Sequence, residues 1–272
     1  FPLTSTKNRR RGSKHAPQHQ QLKPTMFMFK RSSADPAGST EPAKAAESAP
    51  SLAYSHATEV FIVRHGERID ETPAAGEWYR TCGSRKWDPP LTANGCLQAS
   101  AAGRALRQAH DQRPFGCVMY SPCLRTVMTA SYIAAELGLP MRCVPGLAEC
   151  AAAVHQQRIA NFNPMRPGGP RFLTEAEARP HCAPGTRFTD ASVHYEPFFD
   201  AVERVAREGA GSRVLLVTHR EGIRDLSEVA GEPCRRTPYC CIARFAFAPS
   251  HEGKGKAVSP WQLLSPPSIQ LD

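Results

Sequence analysis

The sequence predicts an α/β fold, a three-layer sandwich with a mostly parallel central sheet flanked by helices. Three observations carry this expectation. Short apolar runs alternate with segments of helical period, the runs are continuously apolar as strands buried on both faces are, and two of them end in a histidine. In open α/β sheets ligands gather where the carboxyl ends of parallel strands meet loops, so paired terminal histidines mark that edge.

Taken in order, Val60-Phe61-Ile62 forms the heart of a strand near 59–63, and Arg64-His65-Gly66-Glu67-Arg68 follows its last residues. Thr92 is placed to cap a helix reaching about His110. Cys117-Val118-Met119-Tyr120 reads as the next buried strand; Ser121 as N-cap and Pro122 at the first helical position then open a helix to Leu137, with Arg125 in its first turn. A strand from Met141 to Val144 leads into Pro145-Gly146-Leu147-Ala148-Glu149, a carboxylate in a loop. Tyr195, Phe198, Phe199, Val202, Val205 and Ala206 recur at helical spacing, with Gly209 near the end of that helix. Arg213 to Val217 is a strand delivering Thr218-His219, and 241–247 is the last strand. Residues 70–90 and 151–190, rich in Pro and Gly and carrying Trp78, Trp87, Phe162, Arg166, Arg171 and Phe172, read as rim loops that shape the mouth of a pocket.

The chemistry of these residue types points to an oxyanion. Free N–H groups and the positive end of a helix macrodipole favour an anion at Arg125, and its guanidinium adds a two-pronged donor matched to phosphate oxygens. Arg64, Arg68 and the two imidazoles supply further positive charge and donors.

At these residues the chain resembles the histidine phosphatase superfamily, also called phosphoglycerate mutase-like. The matching stretches are Arg64-His65-Gly66-Glu67, Asp88-Pro89-Pro90-Leu91-Thr92-Ala93-Asn94-Gly95, Ser121-Pro122-x-x-Arg125 with Thr129-Ala130, Gly146-Leu147-x-Glu149 and Val217-x-His219, all in the family's order across roughly residues 57–248. The runs around His65, Leu91 to Ala99, Val144 to Glu149 and Thr237-Pro238-Tyr239-Cys240 look most like the phosphatase modules of suppressor of T-cell receptor signalling proteins and of the ecdysteroid-phosphate phosphatases. The resemblance implies phosphomonoester hydrolysis without a metal or other cofactor. In it His65 is the nucleophile, Arg64, Arg68, Arg125 and His219 bind the phosphoryl group, and Glu149 is general acid and base. Alternatives are a cofactor-dependent phosphoglycerate-type mutase, or a catalytically idle phosphate- or phosphoprotein-binding module. Two departures from the family pattern bear on substrate: Arg220-Glu221-Gly222 follows the second histidine, and Cys150 follows Glu149. Glu221 is expected to turn away or pair with Arg220 or Arg224, and Glu67 to orient a neighbouring arginine.

Composition fits one catalytic domain, 56–249, with a basic N-terminal extension over 1–55 expected to be disordered and a tail over 250–272. The formal charge of +9 belongs to the extension: residues 1–34 hold eight Lys or Arg and no acid, leaving +1 for the rest. Nucleic acid is therefore not an expected partner; a phosphorylated small molecule or phosphoprotein is. Met26 reads as an alternative start. The ten cysteines lack paired Cys-x-x-Cys spacing, which fits a reduced, cytoplasmic enzyme, while the acid-poor amino terminus would also suit organellar targeting. No run is long enough to span a membrane, no metal is called for, and His155, His181 and His194 are expected at the surface or in supporting positions. No helix shows a long heptad seam; a homodimer is left open.

Overall fold

The computed structural model describes residues 57–148, 172–190, 196–249 and 259–269. Their centre is a seven-stranded sheet formed by β1 (Thr58–Arg64), β2 (Val118–Tyr120), β3 (Met141–Cys143), β4 (Phe188–Thr189), β5 (Arg213–Thr218), β6 (Ile242–Phe247) and β7 (Trp261–Ser268). The spatial order is β4-β3-β2-β5-β1-β6-β7. The first five in that order run parallel, and β6 and β7 each run antiparallel to the preceding neighbour.

Alternation along the central strands builds the layers. Phe61, Val63, Leu215 and Val217 turn to one face, where they meet Ala99, Ala102 and Leu106 of α2 (Ala93–Gln112) and Val127, Ala130, Ile133 and Leu137 of α3 (Leu124–Leu137). Val60, Ile62, Val214 and Leu216 turn to the other, against Ala201, Val202, Val205 and Ala206 of α5 (Phe198–Glu208) and Ile223 and Leu226 of α6 (Arg220–Val229). Helices cover both faces, so the middles of β1 and β5, Val60 to Val63 and Val214 to Val217, are continuously apolar. Two shorter helices, α1 (Ala75–Thr81) and α4 (Glu175–Ala178), lie within the segments expected to be rim loops. Among the described residues no helix is long and apolar enough to cross a membrane.

Thr92 caps α2 as expected, its hydroxyl accepting from Gly95 N at 2.9 Å. The start of α3 differs from expectation. Its N-cap is Cys123, with no side-chain capping bond from that residue, and Ser121 and Pro122 precede the helix. Ser121 has other work, described below, and the cap comes from a carboxylate distant in sequence. At the far end Gly138 adopts φ 70°, the left-handed turn that ends many helices.

Two strands escaped the sequence reading. β4 has only two residues. β7 lies in the stretch read as tail, where Pro266 and Pro267 argue against a strand; it is tolerated because it is at the sheet edge, with β6 as its one neighbour. Trp261 anchors it, 3% exposed, with its ring centroid 4.7 Å from that of Phe247.

Candidate functional site

The parallel pairing of β1 with β5 sets Arg64 opposite Thr218, and His65 N donates to Thr218 O at 3.0 Å, so the residues that follow both strands emerge side by side. The rings of His65 and His219 lie 5.5 Å apart between centroids. Ser121, at the end of β2, joins them: its backbone N donates to Val217 O and its Oγ lies 2.9 Å from His219 Nε2. A serine expected as a helix cap thus fixes the second imidazole instead.

His65 is 3% exposed, and its Nδ1 is 2.8 Å from Gly66 O. A carbonyl oxygen only accepts, so Nδ1 carries the proton and the lone pair resides on Nε2. Burial holds the His65 imidazole well below its ordinary pKa, and Arg125, any proton on His219, and Arg64 push the same way against the Gly66 hydrogen bond. His219 is likewise depressed, by burial first and then by Arg125, Arg68 and Arg64. Both rings are therefore neutral in the unliganded site.

The loop after His65 is tight. A Cβ on Gly66 would stand 2.5 Å from Gly95 O, and Gly66 N donates to Thr129 Oγ1 at 3.0 Å. Glycine at 66 lets this loop lie directly on the start of α2. Glu67, expected to orient an arginine, does something else. Its carboxylate accepts from Thr92 Oγ1 at 2.7 Å and Asn94 Nδ2 at 3.2 Å, and so clamps the loop to the amino end of α2.

Each sequence-identified arginine is held in place. Arg64 donates from Nη1 to Thr237 O at 2.7 Å, and its guanidinium lies 4.1 Å from the Tyr239 ring centroid. Arg68 engages Asp70, with Nε 2.8 Å from Oδ1, and Glu71, with Nη1 3.5 Å from Oε1. Arg125 is 1% exposed, and its Nη1 is 3.7 Å from Asp88 Oδ1. Two helices, α3 and α6, begin at this edge with the positive ends of their dipoles toward it, and His219 is itself the N-cap of α6. Glu221 pairs with Arg220 at 2.7 Å, as expected.

Glu149 lies outside the described residues, as do Cys150, His155, Phe162, Arg166, Arg171, His194 and Tyr195. His181 is exposed. Trp87 and Phe172, one from each expected rim segment, pack edge to face with centroids 5.6 Å apart.

Sequence reasoning passed over three side chains. Ser121 was assigned to capping, Asp88 was quoted only within a motif, and Tyr239 was given no role although its ring lies 5.9 Å from that of His65. The Tyr239 hydroxyl binds Glu71, and burial together with that bond pushes its pKa up to about 12. None of these three has a local pattern that distinguishes it from a cap, a turn or a packed aromatic.

A neutral imidazole with a free Nε2, ringed by guanidiniums and helix amino termini at the carboxyl edge of a parallel sheet, defines a class of protein that handles phosphoryl groups. The family model "Histidine phosphatase superfamily (branch 1)" matches residues 60–240, and the chain belongs to that superfamily. It is 34% identical over 118 residues to mouse ubiquitin-associated and SH3 domain-containing protein A, covering 33% of this chain and 19% of the relative. To mouse protein B of the same name it is 26% identical over 258 residues, covering 78% and 39%. The chain thus spans well under half the length of these relatives. Among solved structures it is similar to the ecdysone phosphate phosphatase of Bombix mori, solved with tungstate, at 22% identity and TM-score 0.46 over 79% of this chain and 96% of that one. A phosphoserine phosphatase mutant of Entamoeba histolytica, solved with phosphoserine, is similar at 16% identity and TM-score 0.44 over 78% and 98%.

The neutral histidines have a measurable consequence for stability. Their folded-state pKa values lie below the ordinary 6.5, so as pH falls through about 6.5 the unfolded chain takes up protons that the folded site refuses. Unfolding free energy then rises with pH in this window and is lost on acidification, with a slope approaching about 1.4 kcal/mol per pH unit for each imidazole. Denaturant unfolding between pH 8 and pH 5 without phosphate should show this loss. The profile should be flatter in a His65→Ala, His219→Ala double variant. Equal slopes in the two proteins would mean that these rings accept protons in the folded state.

Proposed function

We propose that this chain is a metal-independent phosphomonoesterase that works through a phosphohistidine on His65. The observation that carries the reading is the His65 tautomer. Nδ1 is spent on Gly66 O, burial and the guanidiniums of Arg125 and Arg64 keep the ring neutral, and Nε2 is left as the base that attacks phosphorus. In-line attack forms the N–P bond as the P–O bond to the leaving group breaks. Water then cleaves N–P and returns inorganic phosphate. Phosphoryl transfer asks mainly for positioning and charge neutralisation, which Arg64, Arg68, Arg125 and His219 supply to the equatorial oxygens.

Glu149 protonates the departing oxygen and later deprotonates the attacking water. Support for this comes from the last described turn before it: Thr218 Oγ1, beside His219, donates to Leu147 O at 2.9 Å, which ties the chain to the site two residues ahead of Glu149. Glu149→Gln should lower kcat about 10²-fold or more for an alkyl phosphate and much less for 4-nitrophenyl phosphate, whose leaving oxygen needs little protonation. Equal losses on both substrates would remove Glu149 from the acid role.

The substrate class is a phosphate monoester, carried by a small molecule or a phosphoprotein. The whole reading is tested by 4-nitrophenyl phosphate hydrolysis in EDTA, with acid-stable and acid-labile phosphoenzyme measured after quenching. Chelator-resistant turnover with an acid-labile, base-stable phosphoenzyme is expected. Rapid interconversion of phosphoglycerates, or phosphate binding without turnover, would overturn it.

A further inference from the structure

We infer that Asp88 is the positioning residue for Arg125, and that Arg85 balances its charge so that the phosphate does not meet it. This rests on the phosphatase reading above. Asp88 is 0% exposed, and its two oxygens divide their work. Oδ1 accepts from Leu124 N at 2.7 Å and lies 3.7 Å from Arg125 Nη1; Oδ2 binds Arg85. Helix α3 has no capping side chain of its own, so a carboxylate from 36 residues earlier caps it. The same oxygen lies within ion-pair distance of the guanidinium that the helix carries in its first turn.

The backbone amide of Leu124, which precedes Arg125, and the Arg125 guanidinium are thereby both set against one atom. An arginine has several rotatable bonds, and a fork aimed at an equatorial oxygen is effective only if it is already in place when charge develops. A buried carboxylate this close to a phosphate site would ordinarily repel the substrate. Here Arg85, partly exposed, takes Oδ2, and its guanidinium lies 5.6 Å from the Trp87 ring centroid. Burial raises the Asp88 carboxyl pKa, while Arg125, Arg85 and Leu124 N–H all favour the ionised form.

Asp88→Asn separates positioning from capping. Its carboxamide oxygen can still accept from Leu124 N, so the fold should persist, but the negative charge beside Arg125 is lost and the amide group turns donors toward Arg85 in place of Oδ2. The variant is expected to raise KM for 4-nitrophenyl phosphate and Kd for inorganic phosphate by about tenfold or more, with circular dichroism and melting close to wild type. Asp88→Ala should add a loss of stability. Arg85→Gln, which leaves Arg125 held but Asp88 unbalanced, should weaken phosphate binding by a smaller factor that shrinks in high salt. Unchanged KM and Kd in Asp88→Asn would overturn the inference, as would a lower melting temperature with unchanged phosphate affinity. Binding of inorganic phosphate is read without turnover. Should the wild type fail to hydrolyse any ester, the hydrolytic reading falls, and the Asp88 inference is still decided by Kd.

Discussion

His65→Ala is expected to reduce kcat for 4-nitrophenyl phosphate by about 10⁴-fold or more, because no second group in the site can replace a neutral, correctly aimed Nε2 as nucleophile. His219 cannot substitute directly. Its Nε2 is engaged by Ser121 Oγ at 2.9 Å, and its ring stands at 63° to that of His65, so the two imidazoles do not present equivalent lone pairs. The guanidiniums and helix termini remain in the variant, so phosphate affinity should change far less than turnover. That contrast distinguishes loss of a nucleophile from collapse of the site. Phosphate binding by isothermal titration, together with loss of the acid-labile phosphoenzyme, checks it. A His65→Ala protein that retains more than a few per cent of wild-type kcat would remove His65 from the covalent role.

Arg125→Ala carries the second large effect, and it acts on two levels. Loss of a preorganised charged donor to the transferring group should cost about 10²- to 10³-fold in kcat/KM. Stability should fall as well. Arg125 and Asp88 are 1% and 0% exposed, and removing one partner of a buried pair leaves the other charge with part of its compensation gone, at about 3–5 kcal/mol when the remaining charge has no other partner. Arg85 still faces Asp88 Oδ2, so the lower end of that range is expected. Arg125→Lys separates the levels, since it restores a positive charge but not the planar fork. Lysine should recover most of the stability and only part of the rate, read by denaturant unfolding and steady-state kinetics. Equal recovery of both would mean that Arg125 contributes charge alone.

Much of this molecule was legible in one dimension. The near-continuous apolar runs at 59–63 and 213–217 announced strands buried on both faces, and the structure places them as β1 and β5 at the sheet's centre. Their length and lack of alternation are properties of single segments, which is why a linear reading reaches them. Thr92 was equally readable as a cap, because the bond it makes is to a residue three positions on. The histidine after each strand followed from the strand ends, and the parallel register that sets Arg64 opposite Thr218 brought the two rings together.

Other features depended on residues far apart in the chain. Ser121 has the sequence of a helix cap, yet 98 residues separate it from the imidazole it binds. Glu67 sits among arginines in sequence but is 25 residues from the threonine hydroxyl it accepts from. Asp88 reaches a helix start 36 residues away, and Tyr239 returns from the end of the matched region to lie over Arg64. The strand β7 was hidden by its prolines, which only an edge position makes harmless. Local pattern by itself determined five of the seven described strands and the helices α2, α3 and α5, since burial period and capping act within a few residues. Tertiary structure alone decided the tautomer of His65, the partners of Glu67 and Asp88 and the burial of Arg125, because hydrogen bonds and charge pairs depend on distance in space and not on separation along the chain.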